Sequence, residues 1–401
     1  MTMTRTTYDV GGVLLDRPFK IRRLGHFGFN VRDLEANVHF YCDLLGFRIS
    51  DLSARGGYFC RYGSDHHALV LFDKTSSDER AQTGISARHF RAENDINQIT
   101  WQIQSRGEIV GATQYFRDLE MEIRTEGRAG GMGPGSNFHL YVWDPDDQIN
   151  ELFYGIEQIG WDGHSKPIEM RPPGEPEVLH EPHISEFREV QDALVRGGIP
   201  TEGYRYQDPN LAKFEVDGIL MPRPFKVVRI GPVKLFCDDL AAAEEYYRDV
   251  MGFTLTEEVE WHGERCVFLR CDNEHHALGL FPKPLRAKLG LSSETSNMSF
   301  GLQLANYRQL RDAVTFLRDS GVRVETAALP PELHPGMDYA AYAFDPDGHC
   351  IELYYYMEQV GWDGSVRPPE ARRKVDPSSW PETLEPLSDT YHGEPFLGPW
   401  A

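Results

Sequence analysis

YVWDPDDQINELFYGIEQIGWDG, from Tyr141 to Gly163, returns as YAFDPDGHCIELYYYMEQVGWDG, from Tyr342 to Gly364. In each copy an apolar run meets Asp-Pro-Asp and a second apolar run follows, which is the chemistry of a turn between two antiparallel strands. A repeat of this length makes internal duplication the first property of the chain. Working outward, DHHALVLF ending at Phe72 returns as EHHALGLF ending at Phe281. FYCDLLGF around Tyr41 returns as YYRDVMGF around Tyr247. GVLLDRPFKIRRLGH, Gly12 to His26, returns as GILMPRPFKVVRIGP, Gly218 to Pro232. The two halves are copies of one unit. Both carry GWDG, at Trp161 and Trp362, which is expected to be a packing feature.

Each half divides again. In the first, an apolar strand from Leu24 to Val31 leads into a helix opened by Asp33 and closed near Gly46, with Leu34, Val38, Tyr41 and Leu45 at helical spacing. Short strands follow near 47–51, 57–62 and 67–72, giving a βαβββ module. A second module starts at INQITWQIQ, passes through a helix holding Val110, Tyr115, Phe116 and Leu119, and ends in the Asp144-Pro145 hairpin. The expected fold is therefore α+β: four tandem βαβββ modules paired into two open-barrel domains. The expected divisions are residues 1–163, a Pro-rich and charged connector over 164–217 with one helical stretch from Phe187 to Val195, a second copy over 218–366, and a Pro-rich tail over 367–401 that is either disordered or laid along a surface.

Composition narrows the function. The 401 residues exceed the size at which a single core keeps growing. A hydrophobic share of 40% is ordinary for a globular chain, and a formal charge of −21 repels polyanions, so no nucleic-acid or membrane partner is expected. The six cysteines form no close CxxC pair, and no apolar run has membrane-spanning or signal-peptide length. The expectation is a cytoplasmic, homo-oligomeric protein acting on a small molecule.

Four paired βαβββ modules resemble the vicinal oxygen chelate superfamily, which includes glyoxalase I, the fosfomycin- and bleomycin-resistance proteins and the type I extradiol dioxygenases. The resemblance spans Phe19 to Gly163 and Phe225 to Gly364. It implies a metal held by the first strand of each module and the last strand of the second: His26 in LGHFGFNV, Gln98 in INQITWQI and Glu151 in INELFYG. Extradiol enzymes have His where this chain has Gln98, and an amide oxygen is a weaker, harder donor than imidazole. His67 matches the acid–base histidine of the extradiol enzymes, and Tyr141 their substrate-binding tyrosine. His139 shares a strand face with Tyr141 and is a further candidate, whereas strand alternation points His66 away from His67.

The second half is an internal control, with Pro232 in place of His26 and Ser299 in place of Gln98, though it keeps His276, Tyr342 and Glu352. Proline has no donor for a metal, so one site per chain is expected, in the first half. The resemblance implies an Fe(II)-dependent extradiol-type dioxygenase that takes a small catechol-like or hydroquinone-like substrate and O2, with Mn(II) or another divalent metal as the alternative cofactor. Two other functions belong to the same superfamily: a glyoxalase-type isomerase or lyase, favoured by Gln98 but lacking that group's mid-strand ligand in the run Ala68 to Leu71, and a metal-free binding protein.

Overall fold

A computed structural model of the chain describes residues 6–53, 56–75, 95–124, 134–135, 138–171, 186–293 and 295–395. A hairpin of β1 (Tyr8–Val10) and β2 (Val13–Leu15) precedes β3 (Arg23–Val31), β4 (Arg48–Leu52), β5 (Tyr58–Arg61), β6 (Leu69–Asp73), β7 (Ile96–Gln102), β8 (Ile123–Arg124), β9 (Phe138–Trp143) and β10 (Ile149–Tyr154). The second half repeats this with the hairpin β11 (Phe214–Val216) and β12 (Ile219–Met221), then β13 (Val227–Cys237), β14 (Thr254–Trp261), β15 (Glu264–Arg270), β16 (Leu278–Pro282), β17 (Asn297–Leu304), β18 (Val324–Glu325), β19 (Ala340–Phe344) and β20 (Cys350–Tyr354).

Each half forms one eight-stranded mixed sheet. The orders are β4-β5-β6-β3-β7-β10-β9-β8 and β14-β15-β16-β13-β17-β20-β19-β18. The two modules of each half join along one antiparallel seam, β3 with β7 and β13 with β17. The helix of the first module begins as expected: the Asp33 carboxylate accepts the Ala36 N–H at 2.9 Å, an N-cap that satisfies an otherwise orphan donor. It then widens to a π-helix over His39–Leu44 and ends at Gly46, whose φ of +89° suits glycine. At the hairpin, Asp144 Oδ1 accepts the N–H groups of Asp146 and Gln148, the Asx-turn that Asp-Pro-Asp leads one to expect.

The halves share one apolar core. Phe27 stacks on Phe300 at 4.6 Å, and Trp101 meets Phe253 edge-on at 4.8 Å. Matched polar bonds cross the same boundary, Tyr41 Oη donating to Asp345 at 3.0 Å and Tyr247 Oη to Asp144 at 2.9 Å. The opposite faces of the two sheets differ. In the second half that face is filled by Phe236, Phe268, Phe281, Met298, Leu333 and Tyr342, all buried. In the first, Phe59, Phe72 and Tyr141, the counterparts of Phe268, Phe281 and Tyr342, are only half-buried.

The connector forms a helix over Glu186–Val195, close to its expected span. The tail, up to Pro395, is laid along the second half: Trp380 and Leu384 pack against the core, and Trp362 N–H donates to Glu394 O at 2.9 Å. Phe396 and Trp400 lie outside the described residues. GWDG is not a packing feature. Trp161 is fully exposed and Trp362 66% exposed; what the motif supplies is a turn, with Gly163 N–H bonded to Gly160 O and Gly364 N–H to Gly361 O. Glycine is needed at the end of each, at φ +77° and +78°.

Candidate metal centre

Strand register places the site. Tyr141 on β9 pairs with Glu151 on β10, Glu151 with Thr100 on β7, and Thr100 with His26 on β3. Paired residues point to the same face, so these four form one row across four neighbouring strands. His139 and Gln98 lie on that face two residues from Tyr141 and Thr100. His67 precedes β6, in the bend after Ser64. Its ring centroid is 4.2 Å from that of His26. In a flat sheet β6 and β9 would stand about 19 Å apart. His139 nevertheless acts on both His67 and Glu151 electrostatically, so the sheet curls around this row.

At the centre, His26 Nε2 lies 3.1 Å from Glu151 Oε2, and Thr100 Oγ1 donates to the same oxygen at 3.1 Å. His26 and Glu151 are 1% and 2% exposed. Burial pushes the Glu151 pKa up, but His26, His139 and the Thr100 hydroxyl more than offset this and hold it below the usual carboxylate range. The carboxylate is ionised at neutral pH. Burial, reinforced by His26, His66 and His139, holds His67 well below the ordinary histidine value, so it is neutral. The Arg124 guanidinium sits 4.3 Å over the Tyr141 ring. Phe59 and Phe153 flank His67 and His26 at 5.0 and 5.3 Å, forming apolar walls.

A divalent cation fits this arrangement. Metal–donor bonds of about 2.1 Å put neighbouring ligands of an octahedron about 3.0 Å apart, and His26 Nε2 and Glu151 Oε2 stand at that separation. His26 Nδ1 is buried with no hydrogen-bond partner. Gln98 is opposite Gly28, and its side chain packs close over it: a Cβ on Gly28 would fall 3.3 Å from Gln98 Cγ. Among the described residues no group of three His, Cys, Asp or Glu side chains converges. The Gln98 amide shares the face.

The second half shows what closes such a site. Pro232 and Gly301 take the places of His26 and Thr100, packed so closely that a Cβ on Gly301 would fall 2.3 Å from Gly231 O. Lys234 replaces Gly28, and its ammonium donates to both oxygens of Glu352 at 2.8 Å, all fully buried. A side-chain cation sits beside the buried glutamate there.

Several residues at this site escape a reading by motif. Thr100, not Gln98, is the β7 residue that bonds Glu151. His66 does not point away from His67. The two rings meet Nδ1 to Nδ1 at 3.0 Å, because both lie in the bend before β6 where strand alternation does not apply. The adjacent DHH in both halves was the signal available.

The fold is that of a two-sheet protein of paired βαβββ modules, with the row of His26, Thr100, Glu151 and Tyr141 on one face of its first half. Residues 23–152 and 229–353 match the family model described as the Glyoxalase/Bleomycin resistance protein/Dioxygenase superfamily, and the chain belongs to that superfamily. No curated relative matches it. Among solved structures it is similar to the 2,3-dioxygenase LapB from Pseudomonas sp. KL28, at 16% identity and TM-score 0.56, over 93% of this chain and 98% of that one. A catechol 2,3-dioxygenase is similar at 16% identity and TM-score 0.56, over 85% and 90%. The Mn(II)-bound glyoxalase from Novosphingobium aromaticivorans is similar at 16% identity and TM-score 0.54, over 88% and 90%. Among the described residues no helix is long and apolar enough to cross a membrane.

Proposed function

We propose that the chain is a divalent-metal-dependent dioxygenase of the extradiol type, which opens a catechol-like or hydroquinone-like ring with O2 in its first half. The observation that carries this reading is the His26–Glu151 corner, 3.1 Å across, with the neutral His67 ring beside it and Gly28 where the other half has Lys234. His26, Glu151 and the amide of Gln98 would hold Fe(II). When bound, Fe(II) supplies a redox-active centre through which an electron-rich ring can pass electrons to O2.

The remaining chemistry falls to the chain. A phenolic substrate must lose a proton to bind as an anion, and a neutral imidazole facing the pocket can take it, which is the role of His67. Tyr141, its ring covered by Arg124, holds a substrate oxygen by a hydrogen bond as charge shifts onto it. His139, on the same face, is a second group able to donate or accept there. Phe59 and Phe153 give the ring an apolar bed and exclude water. Thr100 fixes one Glu151 oxygen by donating to it at 3.1 Å.

The test is O2 uptake by protein loaded anaerobically with Fe(II), against a panel of catechols and hydroquinones, with the rise of a ring-fission chromophore followed in parallel. Substrate-dependent O2 uptake supports the reading. Gln98 favours a second one, a glyoxalase-type isomerase or lyase using Mn(II) or another divalent metal, in which turnover proceeds with no O2 consumed; that result would replace the first.

A further inference from the structure

The bend before β6 leads away from the pocket as well as into it. His67 Nδ1 is taken by His66 Nδ1 at 3.0 Å, and His66 Nε2 lies 3.5 Å from Asp51 Oδ2. Asp51 is ion-paired to Arg171, which arrives from the short helical turn Ile168–Met170 at the start of the connector. A β-bulge between Ile49 and Asp51 on β4 turns this carboxylate toward the histidines. On the far side, Glu157 O accepts the His66 N–H at 2.8 Å, and the Glu157 carboxylate accepts Lys166 N–H. Gly135, at φ +87°, lies against the histidine pair: a Cβ there would fall 2.9 Å from His67 Cε1. Asp51, His66 and Arg171 are absent from the chemistry proposed above.

Two imidazoles that share one Nδ1–Nδ1 contact cannot both carry a proton on it, so the tautomer of one dictates that of the other. Asp51 is held ionised, since burial raises its pKa but His66 and Arg171 lower it further. A carboxylate beside His66 Nε2 favours the proton on that nitrogen. His66 Nδ1 is then a bare acceptor, His67 must donate from its own Nδ1, and His67 Nε2 is left with its lone pair free. The second half repeats every member of the chain of contacts. His276 meets His275 Nδ1 to Nδ1 at 3.1 Å, His275 Nε2 meets Glu257 at 2.9 Å, and Glu257 pairs with Arg372. Glu257 is one methylene longer than Asp51 and closes the gap that Asp51 leaves at 3.5 Å.

We infer that Arg171, Asp51 and His66 are positioning residues that fix His67 in the tautomer with Nε2 unprotonated, so that it meets substrate as a base rather than as a donor. The inference rests on the role of His67 proposed above, but its test does not depend on turnover. Metal-stripped protein labelled with 15N in histidine is examined at pH 8 by long-range proton–nitrogen correlation, with signals assigned through His66→Gln and His67→Gln. The wild type is expected to show His67 protonated at Nδ1 and bare at Nε2. Asp51→Asn, which offers an amide N–H to His66 Nε2, is expected to reverse both histidines, and Asp51→Glu to retain the wild-type pattern, as Glu257 does in the second half. His276 should keep one pattern in all three proteins and so reports that each is folded. A wild-type His67 protonated at Nε2, or an unchanged His67 in Asp51→Asn, overturns the inference. In Fe(II)-loaded protein Asp51→Asn should lower kcat by about 10-fold to 100-fold with KM nearly constant. Should the tautomers behave as expected while no protein consumes O2, the relay stands and the ring-cleavage proposal fails.

Discussion

His349 ties the two halves together, and removing it gives a measurable signature. Its Nε2 lies 2.7 Å from Asp95 of the first half and its Nδ1 2.7 Å from Asp345 of the second. Its ring stacks on Phe29 at 4.3 Å, and all three charged groups are buried. Burial lowers the imidazole pKa, but Asp345 and Asp95 outweigh it and raise it to about 10. In His349→Gln two buried carboxylates lose their shared cation, and removing one partner of a buried pair costs about 3–5 kcal/mol. Tyr41 Oη still bonds Asp345 and Ser296 N–H still bonds Asp95, so neither carboxylate loses every partner. A folded pKa above the unfolded one means the stabilisation is full below about 6.5 and is lost on going up toward about 10, by roughly 1.4 kcal/mol for each pH unit between. Urea unfolding of both proteins, followed by circular dichroism from pH 6 to 10, should show a gap that is widest at pH 6 and nearly closed at pH 10. A gap independent of pH would mean that His349 acts by packing on Phe29 and not by charge.

Gln98→His should preserve or tighten iron binding, since imidazole is the stronger donor; loss of metal with circular dichroism unchanged would remove Gln98 from the ligand set. His67→Gln should leave iron content nearly constant and lower turnover by about 10²-fold to 10⁴-fold, while His276→Gln costs little activity. Equal losses in the two, measured as O2 uptake at fixed iron loading, would refute the role of His67. Gly28→Lys should copy the Lys234–Glu352 pair, abolishing metal binding in a folded chain. Metal retained at one equivalent by elemental analysis would place the cation elsewhere. Lys234→Met should leave Glu352 buried without a cation and cost about 3–5 kcal/mol in urea unfolding, with Lys234→Met/Glu352→Gln recovering most of it.

What could be seen in the sequence was whatever is local or repeated. Asp144-Pro145-Asp146 carries its own turn chemistry, Asp33 caps its own helix, and the repeats give both sheets the same order. The row of His26, Glu151 and Tyr141 follows from those strands once they are paired. Register was the missing quantity: the β7–β10 pairing sets Thr100 rather than Gln98 against Glu151, and a shift between Leu24 and His26 in the β3–β7 pairing sets His26 against the same Thr100. The orientation of His66 was lost for a different reason, since alternation holds only inside a strand and β6 starts at Leu69. Asp51 and Arg171 are 120 residues apart and meet only in the fold. Lys234 was visible as a lone cation in the apolar run Ile230 to Cys237, but its meaning needed Glu352 beside it.

The comparison of Gly28 with Lys234 bears on the metal independently of any relative. Each half buries a glutamate at the same place on its last strand, next to the seam between modules. A buried carboxylate left without a cation costs several kcal/mol, so a fold that keeps one must neutralise it. The second half does so within the chain: Lys234 crosses the space above the seam and bonds both oxygens of Glu352, while apolar side chains fill the rest of that face. In the first half the residue at the lysine position has no side chain, and the groups beside Glu151 include the Thr100 hydroxyl and His26 Nε2, both at 3.1 Å. A divalent cation held there would supply the charge that Lys234 supplies in the second half, while Glu151 stays ionised. The position that supplies a cation to Glu352 in the second half is thus the one that supplies none to Glu151 in the first.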